Sequence, residues 1–88
     1  MKQVTLYSKP DCHLCELAKA DLLSLQKEVG FDLREQDITD TAAPDHAQIF
    51  ARYRYLIPVV DVTGGPLLHA PLDYLALRRA LVEGQAGP

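Results

Sequence analysis

Apolar and polar positions alternate over residues 3–7 (Gln-Val-Thr-Leu-Tyr), which predicts a first β-strand. Pro10 and Asp11 break that pattern. The apolar positions then fall at Leu14, Leu17/Ala18, Leu22, Leu25 and Val29, steps of three and four that trace one helical face. Gly30 follows as the residue just past the helix, where a left-handed backbone costs glycine nothing. The expected helix covers residues 12–29. Residues 31–38 predict a second strand with Phe31 and Leu33 on one face. Glu35 and Asp37 follow on that same face, so its buried part is short. A whole helix between two strands calls for a parallel, right-handed crossover.

Residues 39–43 read as a polar loop. Residues 45–54 read as a second helix, with Pro44 tolerated at its first position and Ala47, Ile49/Phe50 and Tyr53 as its apolar side. Val59, Val60 and Val62 predict a third strand, opened by Ile57-Pro58. Thr63-Gly64-Gly65-Pro66 predicts a tight turn into an edge strand over 67–69. Pro71 is expected to open the last helix, with Leu72, Leu75, Ala76 and Leu81 as its contacts. The order is βαβαββα: an α/β fold with a four-stranded mixed sheet and helices on both faces. One domain spans 1–84, and residues 85–88 are expected to be a flexible tail.

The composition agrees with a single small domain. The chain has 88 residues and 48% hydrophobic positions, and at this size only roughly 60% of the unfolded surface is buried on folding. The net charge of −3 and the absence of a basic stripe argue against nucleic acid as a partner. The pairs Arg52/Arg54 and Arg78/Arg79 read as solvated helix faces. No apolar run approaches the roughly 20 residues of a membrane helix. The start, Met1-Lys2-Gln3-Val4, goes straight into a strand pattern without the build of a signal peptide, so the expected location is cytoplasmic.

The candidate chemistry sits at the first strand–helix junction. The only two cysteines form Cys12-His13-Leu14-Cys15. In a reducing compartment such a pair is rarely a staple, which leaves catalytic, redox or metal use. Structural zinc wants four ligands, and no second CxxC or H-x₃-H exists; His46 and His69 are isolated in sequence. The expected metal set is therefore empty. A cysteine at a helix N-terminus has its thiolate favoured by unpaired N–H groups and the macrodipole. Such sites bring the thiol from about 8.5 down to roughly 3.5–7.5. Lys9 adds positive charge nearby, and His13 adds more when protonated. Asp11 acts in the opposite direction unless it turns away as a cap.

Tyr7-Ser8-Lys9-Pro10-Asp11-Cys12-His13-Leu14-Cys15 resembles the Y-S-K-x-x-C-x-x-C segment of the glutaredoxin branch of the thioredoxin superfamily. Ile57-Pro58-Val59 resembles that family's element around a cis proline. The order and spacing of the two elements, and the ββα that follows, extend the resemblance over nearly the whole chain, with small bacterial glutaredoxin-like proteins the nearest in kind. The resemblance implies a thioredoxin-like fold and a thiol–disulfide oxidoreductase. In that reading Cys12 is the nucleophile and Cys15 the resolving thiol. Lys9, Ile57 and Pro58 would contact substrate, the backbone of Ile57 pairing with an extended peptide. His13 and Asp11 would tune the pair.

Two departures from the family bear on the partner. Glutathione-using members carry Gly-Gly and an acidic residue at the start of the last helix, where this chain has His69-Ala70-Pro71-Leu72-Asp73. Pro71 lacks the N–H that would help hold a carboxylate there. Proline and an aromatic between the cysteines are replaced by His13 and Leu14. The expectation is thus a monomer with no cofactor, glutathione staying open but disfavoured by these departures, acting on a disulfide-containing protein or a low-molecular-weight thiol. The alternatives are a thioredoxin-fold binding module or redox switch with little turnover, and glutathione-assisted iron–sulfur cluster binding. The arsenate-reductase-like branch, which needs an arginine six residues after its cysteine, is disfavoured by Ala18. Tyr7, Tyr53, Tyr55 and Tyr74 read as packing residues.

Overall fold

The computed structural model describes residues 2–86. Its elements are β1 (Lys2–Ser8), α1 (His13–Glu28), β2 (Phe31–Asp37), α2 (His46–Tyr53), β3 (Val59–Val62), β4 (Leu67–His69) and α3 (Tyr74–Ala86). The strands form one mixed sheet in the order β2-β1-β3-β4. β1 and β2 run parallel, with Val4 opposite Leu33 and Leu6 opposite Glu35. β1 and β3 are antiparallel, with Leu6 opposite Val60. β4 closes the β3 hairpin as an edge strand, with Val60 opposite Leu68. The turn between them places Gly64 at φ +77°, a conformation other residues rarely adopt.

Side chains alternate across a strand, so β1 serves two layers. Val4 and Leu6 face one side and pack, with Val60 and Val62, against Ala18, Leu22 and Leu25 of α1 and Leu77 and Leu81 of α3. Tyr7 faces the other side and stacks on Tyr53 of α2, ring centroids 4.7 Å apart. Helices therefore cover both faces, with the main core between the sheet and α1/α3.

The packing shifts the α1 stripe by one position at its start. Cys15, Ala18, Leu22, Leu25 and Val29 are buried, whereas Leu14 is 55% and Leu17 50% exposed. The first turn of α1 lies at the rim of the sheet, and only one of its two apolar stripes can face the core. On α2 only Tyr53 is buried; Ala47, expected on the apolar side, is exposed. The last helix also starts later than expected. Residues 70–73 are irregular, and the Asp73 carboxylate caps α3 by accepting the Leu75 N–H at 2.9 Å. Of the expected contacts, Leu81 is buried and Leu72 packs against the core from the irregular segment, whereas Leu75 is exposed; Leu77 and Ala80 join Leu81 in the interior. α3 runs through Ala86, two residues into the expected 85–88 tail, and residues 87–88 lie outside those described.

Candidate functional site

β1 ends at Ser8, a buried polar residue on the same sheet face as Leu6. Its hydroxyl donates to Glu35 Oε2 at 3.1 Å, and Glu35 Oε1 accepts from Lys19 Nζ at 3.0 Å. These bonds join the end of β1 to β2 and to α1. The Ser8 carbonyl accepts the Ile38 N–H at 2.8 Å. The chain leaves this anchored point through Lys9 and Pro10, turns at Asp11 with φ +58°, and enters α1.

Cys12 is the N-cap of α1. Its sulfur accepts the Cys15 N–H at 3.2 Å, and its carbonyl accepts the Glu16 N–H at 3.0 Å. A cysteine sulfur thus takes the place that a serine or aspartate oxygen commonly holds at a helix start. Cys12 and Cys15 are joined by a disulfide, with Cα atoms 5.2 Å apart. Cys12 is partly open to solvent, whereas Cys15 is 3% exposed beneath it. The pair is one accessible sulfur and one sheltered sulfur in a single helical turn.

The other expected residues divide. Pro58 is buried, and the Ile57–Pro58 and Ala70–Pro71 peptide bonds are cis. The Ile57 N–H is already committed to the Tyr53 carbonyl at 3.1 Å. His13 and Asp11 are exposed on the helix start, and Asp11 does not cap it. Lys9 lies in a separate concavity with Ser8, Pro10, Glu35 and Asp37, so it is grouped with two carboxylates and not with Pro58.

A second feature escaped the sequence pattern. Leu14, Leu17, Ala18 and Asp21 form one wall of a groove of about 110 Å³ that begins at Leu14, between the two cysteines in sequence. Pro58, Ala70, Pro71 and Leu72 form the other. The Ala70 N–H donates to the Leu56 carbonyl at 3.1 Å, which ties the two loops of that wall together. The signal for it lies in the sequence: positions 14, 17, 18 and 21 make a second helical stripe beside 15, 18, 22, 25 and 29. Among the described residues no group of three or more histidine, cysteine or acidic side chains is placed to hold a metal ion. No helix among them is long and apolar enough to cross a membrane.

Comparison with known proteins agrees with this geometry. The chain is similar to the X-ray structure of the Northeast Structural Genomics target protein XcR50 from X. campestris: 30% identity, TM-score 0.69, covering 97% of this chain and 99% of that one. It is also similar to the solution NMR structure of protein Ne2328 from Nitrosomonas europaea: 26% identity, TM-score 0.67, covering 96% and 89%. No curated protein matches the chain. The model of the glutaredoxin-like domain (DUF836) matches residues 3–82. A thioredoxin-like sheet, a CxxC disulfide at the first helix start and that match lead to one conclusion: the chain belongs to the glutaredoxin-like (DUF836) family.

Proposed function

We propose that the protein is a thiol–disulfide oxidoreductase working through Cys12 and Cys15. The observation that carries this reading is the asymmetric pair: an accessible sulfur that accepts a helix N-terminal N–H, joined to a buried one. The same N–H bond and the helix dipole favour the Cys12 thiolate in the reduced protein. That thiolate attacks one sulfur of a client disulfide, forms a mixed disulfide and displaces the other client sulfur as a thiolate. Cys15 then loses its proton and attacks the Cys12 sulfur. The Cys12–Cys15 disulfide forms, and the second client sulfur leaves. Two electrons pass from the protein to the client, whose two sulfurs each take up a proton. An external thiol or dithiol reductant resets the pair.

Pro58 and the Ile57 carbonyl are the proposed contacts for an extended substrate backbone, and Lys9, His13 and Asp11 the charges that modulate attack. The protein acts as a monomer in the cytoplasm, on a protein or small-molecule disulfide. Glutathione fits the start of α3 poorly. Pro71, in the irregular segment leading into α3, supplies no N–H, and the Leu75 N–H in the first turn is occupied by Asp73. A glutathione-held iron–sulfur cluster meets the same obstacle.

The test is the alkylation rate of Cys12 against pH, together with reduction of a model disulfide in the presence of a dithiol. The expected profile has its midpoint below that of free cysteine, with turnover. A midpoint at the free-cysteine value, about 8.5, with no disulfide reduced, would sink the proposal. A Cys15→Ser trap separates the enzyme from a dedicated binding module. The enzyme accumulates mixed disulfides with several proteins, the module with one or none.

A further inference from the structure

The reaction leaves the client undefined, and the groove that begins at Leu14 constrains it. Leu14, Leu17, Ala18 and Asp21 lie at helical positions i, i+3, i+4 and i+7, so the wall runs along α1 for about 10 Å. It begins inside the CxxC itself, at Leu14. Two half-exposed leucines, the first of them within the CxxC, leave apolar surface in water that a partner would cover. The opposite wall is held by the Ala70–Leu56 hydrogen bond, so little ordering is needed on binding.

Charge narrows the choice further. Asp21 is the only charged residue lining the groove, and it is half-buried. Neither ion pair among the described residues uses it; these are Lys19–Glu35 and Arg78–Glu28. A carboxylate at the end of an apolar trough complements a cation. No lysine or arginine lines the groove, so the carboxylates of glutathione find no partner in it.

Resting on the oxidoreductase reading, we infer that the groove selects an extended segment of a client protein that is apolar beside its reacting cysteine and basic further on. The client's apolar side chain packs between Leu14/Leu17 and Pro58/Pro71. A lysine or arginine farther along pairs with Asp21. An extended chain advances about 3.3 Å per residue, so a 10 Å wall spaces the two client side chains by about three residues.

The test compares initial rates of the full chain, with a dithiol reductant, on synthetic peptide disulfides. The parent peptide has leucine beside cysteine and lysine three residues beyond; it is made in both chain directions. One variant has serine for the leucine, another glutamate for the lysine. Bis(2-hydroxyethyl) disulfide and glutathione disulfide complete the set. In the preferred direction kcat/KM is expected to fall about tenfold for the serine peptide. The fall expected for the glutamate peptide is about threefold. L17E should bring the leucine-to-serine ratio near one, and D21K should reverse the lysine-over-glutamate preference. L23E, on the same helix outside the groove, should change neither ratio.

Equal rates on all peptides, with bis(2-hydroxyethyl) disulfide still reduced, would overturn this inference and leave the oxidoreductase reading intact. Failure to reduce any disulfide would overturn both. Glutathione disulfide reduced faster than the parent peptide, with L17E and D21K altering that rate, would assign the groove to glutathione instead. A dimer by sedimentation that L17E dissociates would assign it to a second copy of the chain.

Discussion

Cys15 donates its backbone N–H to the sulfur of Cys12 at 3.2 Å, so one residue is both the disulfide partner and the donor of the helix cap. After reduction, that bond stabilises charge on Cys12, while Cys15 lies at 3% exposure. Accessibility and charge therefore act in the same direction. In the fully reduced protein Cys12 should be alkylated at least about tenfold faster than Cys15 at neutral pH, because only its thiolate is both formed and reachable. Mass spectrometry of the singly alkylated protein reads the site directly; equal labelling would contradict it.

Asp11 holds φ +58° immediately before the cap. The left-handed region costs most L-residues roughly 1–2 kcal/mol, and aspartate tolerates it better than a β-branched residue does. Asp11→Gly should leave stability unchanged or raise it by up to about 1 kcal/mol, whereas Asp11→Val should lower it by about 1–2 kcal/mol. Urea denaturation of the two variants gives the comparison.

Leu17 and Leu22 are both apolar α1 positions with opposite surroundings. Leu22 is fully buried in the main core, and Leu17 is half exposed on the groove wall. Leu22→Ala should cost about 2–5 kcal/mol. Leu17→Ala should stay within about 1 kcal/mol, since much of its surface already meets water. Similar losses for both would contradict the difference in burial between them.

Tyr7 lies against Tyr53, and burial raises its phenol above the ordinary tyrosine value of 10.0, with Tyr53, Asp61 and Asp45 acting in the same direction and Arg34 opposing. A raised acid means that the folded state holds its proton more tightly than the unfolded chain. The contribution is complete below pH 10 and is lost as pH rises through the folded value. Stability should therefore fall above about pH 10, and Tyr7→Phe should remove part of that fall. Chemical denaturation at pH 9 and pH 11 measures both slopes.

Much of this architecture was legible one residue at a time. The alternation at residues 3–7, the Gly-Gly turn and the β-branched run at Val59–Val62 each belong to a single local element, and each formed where the pattern placed it. The helix start at Cys12 was legible for the same reason: a cap closes between residues three apart. Glu35 was less so. Its side chain meets Ser8 and Lys19, which lie 27 and 16 residues away, and no local rule relates such positions. A helix opened by Pro71 would hold Asp73 inside its first turn, whereas the Asp73 carboxylate caps the helix by accepting the Leu75 N–H.

By itself, then, the sequence determined the order of elements, the CxxC at the first helix start and the absence of a proline-free, glycine-rich start to the last helix. These depend on backbone preferences and short spacings that the chain carries without its partners. Tertiary structure decided which apolar stripe of α1 faces inward. Both stripes satisfy helical periodicity, and only contact with Val4, Leu6, Leu77 and Leu81 chooses between them. That choice buried Cys15, left Leu14 and Leu17 open beside Pro58, and thereby opened a groove that begins within the CxxC.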